Sequence, residues 1–249
     1  MFLDKYDYTS HIWKDLFIVI VTVDFPNNRR RVKKLQRQLI KNKIRPGYVC
    51  YGKKAVNREE RDGLVYRCHR DICDWFVLKK PCKHLFILED DAHICNQHID
   101  QKIKKYVRLL DAKQPNWFVL NLGCLATTFI NHVDGDVYKG TGIAAHSYIH
   151  NGNVLGEYLK KIPKDDWKSP VCVEKWESIP KEHVYMSHPL LFSQEVHLTD
   201  IRSYLPGLND PYMWHYYVNF VNRLNIYRYW ILISVCLVLL KKLLWKTKT

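Results

Sequence analysis

Apolar residues recur along this chain with two distinct periods. Leu16 to Val23, LFIVIVTV, is an unbroken apolar and β-branched run, the pattern of a strand covered on both faces in a largely parallel sheet. After Pro26-Asn27-Asn28, a turn in which an Asn is suited to cap a helix, Val32, Leu35, Leu39 and Ile40 recur at helical spacing. Tyr48 to Tyr51 reads as a short second strand. Asp74 to Leu78 is compatible with helix or strand, and HLFIL, His84 to Leu88, reads as a strand. Ile99, Ile103, Tyr106, Val107 and Leu110 then form a helical stripe. Further strands are expected over Trp117 to Leu122, ending at Gly123, and over Ile143 to Ile149. Val154, Leu155, Tyr158, Leu159 and Ile162 mark the next helix. This alternation predicts an α/β fold with a mainly parallel central sheet flanked by helices. The segment from Ile201 to Tyr229 is rich in aromatic and turn residues and is expected to wrap the domain or link it to the C-terminal segment.

With 249 residues the chain fits one α/β domain, large enough to bury a core without disulfides. Its formal charge of +14 favours anionic partners without choosing between nucleic acid, acidic lipid and a nucleotide diphosphate. The densest basic run, Arg29 to Arg45, holds nine Lys or Arg and no acid. A solvated helix face explains it most simply; a phosphate or lipid contact is the alternative. The eight cysteines lack the dense framework of a small secreted domain. Cys68, Cys73, Cys82 and His84 have an unusual zinc-ligand spacing, so buried free thiols are the expectation. Asp4, Lys5 and Asp7 interrupt any signal peptide at the start, and no N-glycosylation sequon occurs. Both features favour a cytoplasmic catalytic domain.

The far C-terminus is different. Tyr229 to Leu240, YWILISVCLVLL, precedes Lys241, Lys242 and Lys246. Twelve helical residues span about 18 Å, short of a hydrocarbon core of about 30 Å. A membrane-surface anchor, with apolar residues in the interface and lysines on anionic headgroups, suits the pattern better than a span. A helix packed on the domain is the alternative. The expected division is a catalytic domain over residues 1–226 and a membrane-association segment over 227–249.

Chemistry concentrates at Glu89-Asp90-Asp91, directly after the HLFIL strand. Ligands of open α/β sheets bind at the carboxyl ends of strands. Three adjacent carboxylates there repel one another unless compensated. An oxygen-only ligand set suits Mg²⁺ or Mn²⁺, which also bridges diphosphate oxygens. A solvated acidic loop is the plain alternative.

Several segments, in order, resemble glycosyltransferase family 25, the lipooligosaccharide and collagen galactosyltransferase group. The early strand followed by Asn28-Arg29-Arg30-Arg31 is similar to the family's Arg-rich opening, and Ile87-Leu88-Glu89-Asp90-Asp91 to its "ILEDD" centre. Trp117 through Leu122-Gly123 is similar to its "W…LG" strand, and Gly142 through His146 to Tyr148 to its "G-x-x-a-H-a-Y" segment. Pro163-Lys164-Asp165-Asp166 falls where the family has "P-x-D", and His188-Pro189 through Gln194 resembles its closing "P-x-x-x-Q". The likeness covers roughly residues 15 to 203. It departs at Thr22-Val23-Asp24-Phe25 and at Tyr51-Gly52, where nucleotide-base contacts are least secure.

The resemblance implies a GT-A, Rossmann-like fold and inverting transfer of a sugar from a nucleotide-sugar, UDP-linked by expectation, to a glycan, lipid-linked or protein acceptor. It implies Asp166 or Asp165 as catalytic base, with an exposed turn as their plain alternative. By the same resemblance Asp91 would be the principal ligand of Mn²⁺ or Mg²⁺, with Glu89 and Asp90 beside it and His188 completing the set from the far side. Arg29, Arg30 or Arg31, with Glu89, Asp90 and His146, would line the nucleotide-sugar site. Both histidines also have an ordinary structural reading. A catalytically silent relative that binds membranes or partners is the competing function. A nucleic-acid partner, suggested by charge and aromatic content, has no recognised motif behind it.

Overall fold

A computed structural model describes residues 3–5, 15–23, 26–44, 48–52, 58–123, 125–143, 146–162, 181–194, 216–224 and 226–227. The strands are β1 (Leu3–Lys5), β2 (Leu16–Val23), β3 (Tyr48–Gly52), β4 (His84–Glu89), β5 (Ala92–Ile94), β6 (Val119–Asn121), β7 (Leu125–Asp134), β8 (Val137–Ile143), β9 (Ser147–Asn151), β10 (Val184–Ser187) and β11 (Phe192–Gln194). The helices are α1 (Pro26–Lys41), α2 (Arg58–Lys79), α3 (Ile99–Lys113) and α4 (Gly152–Lys161).

Nine strands form one sheet in the order β1-β3-β2-β4-β9-β6-β10-β8-β7, and β11 pairs with β5 in a separate ribbon. Strands β3, β2, β4, β6, β10 and β7 share a direction; β1, β9 and β8 oppose it. The sheet is therefore mixed, with most strands running one way.

Side-chain alternation along each strand divides the core into two layers. Phe17, Val19 and Val21 of β2 join Leu85 and Ile87 of β4 beneath α2 and α4. Leu16, Ile18 and Ile20 join Phe86 and Leu88 beneath α1 and α3. Burial on both faces explains why LFIVIVTV carries no polar break. From β2 the chain crosses one face through α1 to β3. It then returns across the other face through α2 to β4, on the far side of β2. This doubly wound, Rossmann-like arrangement puts a change of winding direction between β2 and β4, where ligands of such sheets bind.

Several boundaries differ from the sequence expectation. Helix α1 starts at Pro26 itself, so Asn27 and Asn28 lie within its first turn. Proline suits that position because its missing N–H would have had no helical partner. Val32, Leu35 and Leu39 are buried, whereas Ile40 turns outward at 48% exposure. The expected strand over Ile143 to Ile149 is divided: Ile143 closes β8, and β9 runs from Ser147 to Asn151. The ambiguous Asp74 to Leu78 belongs to the 22-residue α2. The five residues expected to line the α3 stripe are all buried. Among the described residues no helix is long and apolar enough to cross a membrane. Tyr229 to Leu240 lies outside the described residues.

Candidate functional site

β4 runs through the middle of the sheet and ends at Glu89; Asp90 and Asp91 make the turn into β5. Two backbone bonds fix the turn. The Glu89 N–H donates to the His146 carbonyl at 2.9 Å, and the Asp90 N–H to the Val21 carbonyl at 3.0 Å. The acidic triplet thus sits at the change of winding direction, tied to β2 on one side and to the chain entering β9 on the other.

The three carboxylates have different surroundings. Asp90 lies between β2 and α1, and Thr22 Oγ1 of β2 donates to its Oδ2 at 2.5 Å. Arg31 Nη2 lies 3.1 Å from Oδ1 and 3.2 Å from Oδ2. Burial nevertheless outweighs the Arg31 charge and the Thr22 bond, pushing the Asp90 carboxyl up to about 6. Glu89 follows the α2 side of the sheet, with Oε1 3.6 Å from His69 Nε2. His69 Nδ1 is in turn hydrogen-bonded to the Tyr148 hydroxyl. Burial, then repulsion from Asp91 and Asp90, pushes Glu89 up to about 8. Burial also depresses His69 to about 4, so its ring is neutral near pH 7 and supplies no counter-charge to an ionised Glu89. Asp91 accepts from Gln194 Nε2 of β11 at 2.9 Å on Oδ2.

Close packing backs the turn. A Cβ on Gly123 would fall 2.5 Å from His146 Nε2 and 2.7 Å from the Phe192 carbonyl oxygen, so the Leu122-Gly123 step admits no larger residue without a shift. The His146 ring is buried here and depressed to about 4 by desolvation.

Neither a protein-family model nor a curated protein matches this sequence. Among solved structures, the chain is similar to A197 from STIV at 12% identity and a TM-score of 0.43, over 74% of this chain and 86% of that one. It is similar to a glycosyltransferase involved in the glycosylation of the major capsid of PBCV-1, at 16% identity and a TM-score of 0.35. That match covers 57% of this chain and 63% of the other. Apo-UDP-glucose pyrophosphorylase matches at 10% identity and a TM-score of 0.38, over 70% of this chain and 72% of that one.

The structure brings Arg31, Glu89, Asp90 and Asp91 to one turn. Arg29 and Arg30 lie on the outer side of α1, lining a basic surface hollow with Lys33, Lys34 and Arg37. His146 meets Glu89 through its backbone carbonyl. His188 follows β10, which β9 and β6 separate from β4, a lateral offset of about 14 Å at ordinary strand spacing. Its ring packs edge-on against Tyr138, and its N–H donates to the Asp136 carbonyl. These contacts of His188 lie on the β8 side of β10. Asp165 and Asp166 lie outside the described residues. Among the described residues no three His, Cys, Asp or Glu side chains form a ready-made metal site. Cys68 and Cys73 are buried on α2, while His84 points to Asp111 at the opposite end of β4, with Nε2 3.1 Å from Oδ2.

Four residues at the turn were absent from the sequence-based site: Thr22, His69, Tyr148 and Gln194. Tyr148 and Gln194 sat within the family-like segments, where a search for polar side chains would have found them. His69 carried no local signal.

Proposed function

We propose that this protein is a metal-dependent glycosyltransferase that moves a sugar from a nucleotide-sugar, UDP-linked in the first instance, to an acceptor hydroxyl with inversion. The supporting observation is the under-compensated acidic turn at the change of winding direction of a doubly wound sheet. Arg31 is committed to Asp90, and the neutral His69 offers no counter-charge that would let Glu89 ionise near pH 7. A partly buried carboxylate raised to about 8 beside two others describes a site that a divalent cation would relieve.

The donor set fits Mn²⁺ or Mg²⁺. Such ions use one or two carboxylates and take their remaining oxygens from water and phosphate. Asp91 and Glu89 would hold it, while Asp90 is engaged by Arg31 and Thr22. When bound, the ion neutralises charge developing on the departing diphosphate. The protein's own part is to fix this geometry and manage the acceptor proton. As the acceptor oxygen attacks the anomeric carbon, the bond to the diphosphate breaks and the hydroxyl proton passes to a carboxylate. Asp166 or Asp165 is the proposed base, on the family resemblance alone.

The test is calorimetric binding of a panel of UDP- and GDP-sugars, with and without Mn²⁺, to the wild-type protein and Asp91→Ala. Mn²⁺-dependent binding of a donor, lost in the variant, is the expected result. Failure of every donor under both conditions would replace this reading with that of a catalytically silent relative.

A further inference from the structure

The helix over 216–224, continued at 226–227, has two unlike sides. Its inner side is seated on the domain. Val218 and Asn222 are buried, Asn219 Oδ1 accepts from the Leu190 N–H at 3.0 Å, and Ile226 packs against the core beneath α2 and α4. Its outer side carries Tyr216, Phe220, Leu224 and Tyr227, which are 68%, 60%, 42% and 52% exposed. Their spacing of four, four and three residues is that of one helical stripe, and Tyr217 borders it. Seven large apolar side chains are exposed among the described residues, and five of them belong to this helix. Scattered exposed apolar residues are ordinary, whereas a contiguous set marks a contact surface.

We propose that this stripe is an interfacial face that seats the folded domain on a membrane surface bearing anionic headgroups. Three observations select that occupant. Tyrosine and phenylalanine dominate the stripe, and rings with one apolar and one polar end suit the headgroup boundary. The sequence continues from Tyr227 into the apolar run Tyr229 to Leu240, followed by Lys241, Lys242, Lys246 and Lys248. The chain carries +14 overall, complementary to acidic lipid. Apolar contact and electrostatic attraction together give interfacial binding its strength. Because the helix is joined to Leu190, just ahead of β11, the same face sets how the catalytic domain is presented to the bilayer.

Vesicle flotation of the full chain tests this. Wild-type protein is expected to float with phosphatidylcholine vesicles containing phosphatidylserine, and at least fivefold less with phosphatidylcholine alone. Combined Tyr216→Ser, Phe220→Ser and Leu224→Ser should reduce partitioning at least tenfold while leaving the circular dichroism spectrum and solution binding of nucleotide-sugars unchanged. The single variant Phe220→Glu, at an exposed position, serves as a second probe should the triple variant misfold. Undiminished flotation of the variants would overturn the proposal. So would equal flotation with both vesicle types, or a lipid-free oligomer that the substitutions dissociate, which would assign the face to a second copy.

Discussion

The two ends of β4 hold carboxylates in opposite conditions. At the start of the strand, Asp111 accepts from Lys83 Nζ at 2.6 Å and Trp117 Nε1 at 2.9 Å, with His84 Nε2 at 3.1 Å. These partners overcome the cost of burial and bring Asp111 down to about 2. At the end of the strand, Glu89 is raised to about 8 and Asp90 to about 6 despite Arg31. One strand thus joins a carboxylate that stabilises the fold to a group of carboxylates that strains it. Strongly shifted carboxylates concentrate at functional sites, where stability is traded for chemistry.

The contrast can be broken at either end. The largest effect belongs to the acidic turn: Asp91→Ala should lower Mn²⁺-dependent transfer about a thousandfold, on the order of 4 kcal/mol. Steady-state kinetics would show this, accompanied by an unchanged thermal melt, and chelation of the metal should match it. Next, Asp111→Ala should cost about 3 kcal/mol in urea denaturation, because it strands the buried His84 and the Trp117 indole N–H. Donor binding should be unaffected.

The pH dependence of Asp111 sharpens the same point. Its folded-state value lies below its unfolded one, so its contribution is present above about pH 4 and lost as pH falls through about 2. Denaturation curves across that window should show a loss of about 2 kcal/mol that Asp111→Ala no longer shows. The smallest effect has the opposite sign. Glu89→Gln should stabilise the metal-free protein at pH 8 by about 1 kcal/mol, read as a higher melting temperature, while weakening Mn²⁺ binding.

How much of this was legible in the sequence depended on whether a residue serves its own element or a distant one. The β2 run and the α3 stripe bury apolar side chains at regular spacing, and their limits or faces could be read directly. Helix α2 could not. Its buried positions include His69 and Arg70, whose polarity interrupts the apolar period. Arg70 is buried to hydrogen-bond the Ile162 and Leu159 carbonyls at the end of α4, about ninety residues later. His69 is buried to meet Tyr148 and Glu89. The carboxylate triplet was legible because its residues are adjacent. Thr22, His69 and Gln194 reach it only through the fold, and no local spacing announces such pairings. The offset of His188 is also a property of strand order, which neither motif order nor spacing contains.

The antiparallel β9, set between β4 and β6, has a consequence for how the protein comes into being. Strand β4 is complete at residue 89, yet one of its edges awaits Ser147–Asn151, and the Glu89 N–H awaits the His146 carbonyl. During synthesis the acidic turn is therefore made well before the strand that braces it emerges, and that non-local pairing is a slow part of folding. The edge of β4 left open in the interim is a natural contact for chaperones and a hazard for misassembly. A nascent chain halted before residue 146 would possess all three carboxylates and still lack the brace that holds them in place.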